Sequence, residues 1–130
     1  MKDKWKELFA LQQKLSEMYT NVRPTPFYTQ DPILRCPVWT RSITHEACEL
    51  EDELNWKPWK NPVDLQQNRA HRLEETADIL HFFLQLCIDQ GFSAEEVFEA
   101  YVVKRDENIR RQMENPLYKY TDTEKQEDEI

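Results

Sequence analysis

A single glycine, Gly91, occurs among the 130 residues of the chain, and this scarcity is the strongest constraint on its fold. Tight hairpin turns depend on glycine, and strands are rich in β-branched residues, which are sparse here. The sequence therefore disfavours an all-β fold and predicts an all-α one. Apolar residues recur at the three-and-four spacing of helices, which predicts a bundle of four to five helices, with the clearest patterns over residues 4–20, 40–55, 67–90 and 93–115.

Prolines separate the predicted helices. The dense group at positions 24, 26, 32 and 37 predicts an extended loop over residues 21–40, because proline lacks the amide hydrogen that a helix interior needs. Three aromatic residues, Phe27, Tyr28 and Trp39, are expected to hold this loop against the core. The second helix is expected to begin only after this first loop, near residue 40 or 42. Two further prolines, at positions 58 and 62, predict a second loop over residues 56–66.

The acidic balance of the chain limits its partners. Its 17 basic and 25 acidic residues give a net charge of −8, which argues against binding nucleic acid through its phosphates. A small polyanion would need divalent cations to bridge it to the carboxylates. About half of the net charge lies in the last ten residues. We therefore predict one domain over residues 1–116 and an acidic, flexible tail over residues 117–130.

Cysteine usage and hydropathy predict the compartment. The cysteines are three in number with no CxxC spacing, which indicates neither a disulfide framework nor a thiolate zinc site and fits a reducing cytoplasm. The most apolar stretch, residues 79–88, is interrupted by His81 and Gln85, so no membrane partner is expected. We predict that Cys48 is buried as a small side chain and that Gln12 lies on the polar face of the first helix.

Acidic residues lie at helical spacing on two predicted helices. Glu46, Glu49 and Glu53 share one stripe of the second helix, and Glu75 and Asp78 are three apart on the third. Pairs of carboxylates on adjacent helices supply the oxygen ligands that Mg²⁺ or Mn²⁺ takes in proteins, so we predict a metal site of Glu46, Glu49, Glu75 and Asp78. The alternatives are solvated acidic faces or ion pairs with arginines at the start of the third helix.

These motifs resemble those of a known family, the MazG-type all-α nucleotide pyrophosphohydrolases, and within it the dimeric dUTPases. The resemblance covers most of residues 8–112. The two acidic pairs are similar to the family's ExxE and ExxD, here separated by residues 50–74. More specific are WKPWK at residues 56–60, similar to a WKxWK loop, and ETADILHF at residues 75–82, similar to an ExxDILHF segment. Residues 101–112 are similar to a YxxKNxxNxxRQ pattern.

The resemblance implies a fold, a cofactor and an activity. It implies a MazG-like bundle that forms a homodimer, in which the four carboxylates bind Mg²⁺ or Mn²⁺ around a small-molecule nucleotide. A water molecule attacks the α-phosphorus, pyrophosphate leaves, and Glu49 or Glu46 accepts the proton. The substrate that the resemblance to the dimeric dUTPases implies is dUTP. The substrate-binding residues that the resemblance implies are Gln12, Trp56, Lys57, Lys60, Lys104, Asn108 and Arg111.

Other interpretations stay open at this stage. Arg105 stands where the family pattern has asparagine, which leaves dCTP, dGTP or another nucleoside triphosphate as the substrate of the same chemistry. The spacing of Asp78 and His81 is also similar to a ligand motif of carboxylate-bridged diiron bundles, although we expect His81 in the core or behind the metal ligands. A third interpretation is a non-enzymatic acidic protein whose helices bind a basic partner.

Overall fold

The computed structural model describes residues 3–114 of the chain. The elements in this range, in chain order, are α1 (Lys4–Val22), α2 (Pro26–Thr29), a 3-10 turn (Pro32–Arg35), α3 (Cys36–Asp52), α4 (Arg69–Asp89) and α5 (Ala94–Glu114). No strand occurs in this part of the chain, so the predicted all-α fold is confirmed. The predicted flexible tail over residues 117–130 lies outside the described residues.

The chain divides into two compact units, with the boundary between Ser93 and Ala94. The first unit contains α1 to α4, and the second contains α5. Within the first unit, α4 packs along α3 and also against α1, so α4 is the central helix that its broad apolar surface predicted. The single domain expected over residues 1–116 stays a prediction.

The ends of the helices follow from local sequence. The Asp3 side chain caps α1 by accepting a hydrogen bond of 3.2 Å from the amide of Lys6. After α4 the chain turns at Gly91, whose φ of 82° is unfavourable for any residue with a Cβ atom. The Gly91 amide donates to Ile88 O at 2.9 Å and the Phe92 amide to Cys87 O at 3.0 Å, the pattern of a Schellman cap.

The proline-rich segment differs from its prediction. It is not an extended loop over residues 21–40, because two of its prolines begin helical turns: Pro26 begins α2, and Pro32 begins the 3-10 turn. Pro37 lies in the first turn of α3, which starts at Cys36 and so ahead of the predicted start. The missing amide hydrogen of proline costs nothing in a first turn, since that amide has no partner within the helix.

Aromatic side chains hold this segment, as predicted. Phe27 packs edge-on against Trp39 of α3, with ring centroids 5.6 Å apart, and Trp39 stacks on Phe82 of α4 at 6.0 Å. Tyr28 stacks on Tyr19 of α1 at 5.9 Å. These contacts tie the segment to α1, α3 and α4 at once.

A buried ion pair joins the 3-10 turn to the end of α4. Arg35 is 7% exposed and Asp89 is 5% exposed. The Arg35 guanidinium donates from Nε and Nη2 to the two carboxylate oxygens of Asp89, both at 2.9 Å. Arg35 also donates from Nη1 to Tyr28 O at 2.7 Å, and Trp39 Nε1 donates to Asp89 at 2.6 Å. Every element of the proline-rich segment is thereby fastened to α4.

Two predictions about burial are wrong. Gln12 is 7% exposed, not solvated on a polar face, because its side-chain amide bonds that of Gln85 on α4 at 2.9 Å. Cys48 is exposed, since the face of α3 that meets α4 is a different one. None of the helices in the described part of the chain combines the length and apolar character needed to cross a membrane.

Replacing Arg35 by methionine should destabilise the protein by about 3–5 kcal/mol, because the Asp89 charge would stay buried without its cation. Urea unfolding followed by circular dichroism measures this loss. The matched control is Arg110→Met, which removes an exposed ion pair to Glu114 and should cost less than about 0.5 kcal/mol. Equal losses in the two variants would contradict the assigned role of the buried pair.

Candidate active site

A cluster of carboxylates lies between α3 and α4. Glu46 comes from α3, and Glu75 and Asp78 come from successive turns of α4. One carboxylate oxygen from each of the three lies within 4.8 Å of the others. The structure therefore brings together three of the four carboxylates that the sequence predicted as metal ligands.

The charges in this cluster repel one another. The pKa of Glu46 is raised to about 7, first by burial and then by the negative charge of Glu49, with Glu75 and Asp78 adding to the effect. One oxygen of Glu46 and one of Glu75, Oε2 in each case, are buried with no hydrogen-bond donor among the described residues. Such oxygens are costly in a protein interior unless a donor or a cation satisfies them.

The donor set fits a hard divalent cation. Mg²⁺ and Mn²⁺ take carboxylate oxygens, and a cation held by Glu46, Glu75 and Asp78 would remove the repulsion among these carboxylates. Asp78 adds an exposed carboxylate, which leaves one side of the cluster open to a ligand. A cation and an anionic ligand could therefore meet at this position.

Glu49 is placed differently from the other three. It is exposed on α3, and its oxygens are not among those that lie within 4.8 Å of one another in the cluster. It is one helical turn from Glu46, close enough for its charge to raise the pKa of Glu46. Its roles as a ligand and as a proton acceptor stay predictions.

A second acidic group shares Glu75. Glu53, the last residue of the predicted stripe on α3, bonds His71 Nδ1, and His71 Nε2 lies 3.4 Å from Glu75 Oε1. The hydrogen bond to Glu53, followed by the Glu53 charge, raises the pKa of His71. His71 was missed as a member of the site, although its position four residues before Glu75 places both on one face of α4.

A cavity of about 380 Å³ opens beside Asp78. Its lining includes Gln12, which the family resemblance implied as a substrate ligand, and His81. His81 is exposed, which excludes the core position, while a position behind the metal ligands stays a prediction. The remaining lining comes from α1, the proline-rich segment and α4, and consists of Leu15, Ser16, Tyr19, Tyr28, Arg35, Trp39, Phe82 and Gln85. A cavity with a largely apolar wall and a few polar side chains therefore adjoins the carboxylate cluster, as is usual for a small-ligand pocket.

Hydrogen bonds connect the polar groups of this cavity. Gln12 Nε2 donates to Gln85 Oε1 at 2.9 Å, and Gln12 Oε1 lies 2.8 Å from His81 Nδ1. Gln85 Nε2 donates to Ser16 Oγ at 3.1 Å and to Asp89 Oδ1 at 2.9 Å. The cavity wall is thereby continuous with the buried ion pair of Asp89.

The loop between α3 and α4 forms a separate cavity of about 290 Å³. Trp56, Lys57 and Lys60 all line it, so the structure does bring these three predicted ligands together. The Lys57 ammonium lies 4.9 Å from the centroid of the Trp56 ring, and Trp59 packs edge-on against Trp56 at 6.4 Å. None of these residues lines the cavity that contains Gln12.

The remaining predicted ligands lie on α5, in the second unit. Lys104, Asn108 and Arg111 are exposed. Glu107 lies 3.7 Å from the Lys104 ammonium and 2.5 Å from the Arg111 guanidinium, so it partly neutralises both cations. Substrate binding by these three residues stays a prediction.

The hydrogen-bonding role of three polar residues of α4 beside the cavity was not predicted. His81, Gln85 and Asp89 are spaced four apart, so they form a polar stripe along the most apolar helix of the chain. That stripe is a signal that could have been found, because buried polar side chains at helical spacing need partners on neighbouring elements. Arg35 carried no comparable signal in the sequence.

The protein is thus all-α, with a cluster of carboxylates that could bind a cation and, beside it, a cavity large enough for a small ligand. The family model described as dUTPase matches residues 4–90, which include every element of the first unit. The chain therefore belongs to this dUTPase family. The relationship to the nucleotide pyrophosphohydrolases that the motifs indicated is confirmed.

Two curated relatives come from bacteriophages. A dCTP pyrophosphatase of Enterobacteria phage LZ5 is 38% identical over 74 residues, covering 49% of this chain and 43% of that protein. A dCTP pyrophosphatase of Enterobacteria phage T4 is 32% identical over 74 residues, with the same shares covered. The chain thus spans less than half the length of these relatives. No solved structure matches the chain at a significant level.

The repulsion in the cluster predicts a pH dependence of stability. The pKa of Glu46 is about 7 in the folded protein, compared with the ordinary value of 4.5 that applies to the unfolded chain. Between these two values the folded state binds more protons than the unfolded state. The free energy of unfolding therefore falls as the pH rises from about 4.5 to about 7. In metal-free protein, Glu46→Gln should therefore raise the melting temperature at pH 8 by about 4 °C and leave it nearly unchanged at pH 4.5. Thermal unfolding with a chelator present measures both values.

The control for this experiment is Glu51→Gln, which removes an exposed carboxylate from the same helix. It should change the melting temperature equally at both pH values. A Glu46→Gln protein with the same pH dependence as the unmodified protein would contradict the assigned crowding of charge at Glu46.

Proposed function

We propose that this protein is a divalent-metal-dependent pyrophosphohydrolase that converts dUTP to dUMP and pyrophosphate, and so limits dUTP in the nucleotide pool. The observation that carries the proposal is the convergence of Glu46, Glu75 and Asp78 next to the cavity that contains Gln12. Membership of the dUTPase family over residues 4–90 supports the reaction class and the substrate. Two features of the site support the proposal in detail.

The first feature is the carboxylate cluster. Glu46, Glu75 and Asp78 would hold Mg²⁺ or Mn²⁺, and Glu49 would contribute from the adjacent turn. When bound, the cation would neutralise charge on the triphosphate and lower the pKa of a nearby water. The exposed carboxylate of Glu49 is free to accept a proton from that water, with Glu46 as the alternative acceptor.

The second feature is the cavity beside the cluster. Its volume of about 380 Å³ suits a nucleobase. The Gln12 amide donates one hydrogen to Gln85 and its oxygen bonds His81, which leaves a second hydrogen and a second lone pair for a base edge. Lys57, Lys60 and Trp56, in the loop between α3 and α4, are also proposed ligands of the nucleotide, with the two lysines at its phosphates. Lys104 and Arg111 are proposed phosphate ligands, and Asn108 is a proposed ligand of the base or sugar.

A second candidate substrate is dCTP. Two phage proteins named dCTP pyrophosphatase are similar to this chain over 74 residues, and a pyrimidine of the same size would fit the same cavity. A small-molecule nucleotide remains the expected ligand, and the net charge of −8 makes a nucleic acid a poor one. The free cysteines of the described chain fit the proposed cytoplasmic location.

A nucleotide panel tests the proposal. With Mg²⁺ present, dUTP should yield dUMP and pyrophosphate, and Asp78→Asn or Glu49→Gln should lower that turnover by about 10²-fold or more, as expected for groups that stabilise charge in the transition state. The helical circular dichroism should be unchanged. Glu51→Gln, an exposed substitution on the same helix as Glu49, serves as the control.

The outcome of the panel assigns the substrate. Monophosphate from dCTP alone would keep the reaction and replace dUTP as the substrate, and the same applies to dGTP or a ribonucleotide. No monophosphate from any nucleotide, with either Mg²⁺ or Mn²⁺, would overturn the enzymatic proposal in favour of an acidic interaction protein. Full activity in both variants would remove the carboxylate assignment.

We also propose that the protein is a homodimer. Large apolar side chains stay exposed in the described chain, among them Leu11, Val22 and Leu73. Burying such surface against a second copy is favourable. Sedimentation equilibrium should therefore give twice the 15.8 kDa mass of one chain. A mass of one chain at micromolar concentration would contradict the dimer.

A further inference from the structure

A chain of hydrogen bonds runs from the buried ion pair to the open side of the cavity. It passes from Asp89 through Gln85 and Gln12 to His81, with successive distances of 2.9, 2.9 and 2.8 Å. Asp89, Gln85 and Gln12 are each at most 7% exposed, so water does not readily replace these bonds. His81 at the other end is exposed and lines the cavity.

The ion pair fixes the direction of the first bond. The Asp89 carboxylate is paired with Arg35 on both oxygens and can only accept hydrogen bonds. The Gln85 side chain must therefore turn its amide nitrogen toward Asp89. The same nitrogen lies 3.1 Å from Ser16 Oγ, which uses its second hydrogen. The Gln85 oxygen is consequently left to face Gln12.

The donor and acceptor of each following hydrogen bond are then fixed in turn. Because the Gln85 oxygen only accepts, Gln12 must present its amide nitrogen to Gln85, and its own oxygen faces His81 Nδ1. That oxygen also only accepts, so Nδ1 must carry the hydrogen. A neutral imidazole with hydrogen on Nδ1 has none on Nε2, which becomes an acceptor.

We propose that the Arg35–Asp89 ion pair, acting through Gln85 and Gln12, fixes His81 as the Nδ1–H tautomer, so that Nε2 accepts a hydrogen bond from an N–H group of the bound ligand. Gln85 and Asp89 are positioning residues in this arrangement, because they act through Gln12 and His81. Given the proposed function, the N–H group belongs to the edge of a pyrimidine base, which deepens that proposal by naming how the base is selected.

The tautomer of His81 can be measured without any substrate. Long-range proton–nitrogen NMR of uniformly ¹⁵N-labelled protein at pH 8 distinguishes the two neutral tautomers of each histidine. The chain has three histidines, so His81→Asn suffices to assign the signals. We expect hydrogen on Nδ1 of His81, the form that free histidine populates less. Hydrogen on Nε2 would overturn the inference, whatever the enzyme does.

Gln85→Met tests the positioning role. Methionine keeps the volume of the side chain and leaves the Arg35–Asp89 pair in place, but it removes the link to Gln12. We expect His81 to shift toward the Nε2–H tautomer, and KM for the substrate to rise about tenfold with kcat changed less than about threefold. Gln13→Met, an exposed glutamine bonded only to Glu17 among the contacts described, is the matched control and should alter neither quantity.

The outcomes separate this inference from the proposed function. If Gln85→Met keeps the Nδ1–H tautomer of His81 and an unchanged KM, the proposed control of His81 by Asp89 and Gln85 is wrong, even if the enzyme is active. A protein without turnover would overturn the proposed function, and the NMR result would still show whether the hydrogen-bond network fixes the His81 tautomer. If Gln85→Met does not fold, Gln12→Met provides the NMR readout instead: retention of Nδ1–H there would contradict the inference, and its loss would support it.

Discussion

Asp89 accepts four hydrogen bonds in the interior of the first unit, two from Arg35 and one each from Trp39 and Gln85. A buried carboxylate is tolerated only when a cation and donors use all of its lone pairs, and here they come from the 3-10 turn, α3 and α4 itself. This arrangement holds the proline-rich segment against α4 and closes one end of the cavity. The position of Gln12, and with it the shape of the pocket, depends on that ion pair.

In the carboxylate cluster, by contrast, the negative charges repel one another. Glu46, Glu75 and Asp78 lie close to one another, and the pKa of Glu46 is raised to about 7, first by burial and then by the negative charges of Glu49, Asp78 and Glu75. Such uncompensated charges lower stability unless they are paired, protonated or bound to a cation, and carboxylates of this kind could bind a divalent metal. One side-chain network therefore stabilises the fold, and the neighbouring cluster of carboxylates lowers its stability.

The longer helices were predictable because their signals are local. The 3.6-residue period located α1, α4 and α5, and Gly91 marked the end of α4, within about two residues in each case. The proline-rich segment was not predictable in the same way. Proline breaks a helix interior but suits a first turn, and the choice between the two depends on whether contacts such as that of Phe27 with Trp39 stabilise a new turn.

The sequence by itself determined the helical class, the family motifs and the sharing of one face by Glu75 and Asp78, because all of these follow from residue type and spacing along the chain. Only the tertiary structure decided that Glu46 meets this pair while Glu49 stays exposed, and that Gln12 is buried against α4. The physical reason is that helical periodicity fixes which residues share a face, whereas the rotation and register of one helix against another depend on side-chain packing and on buried polar bonds between distant residues.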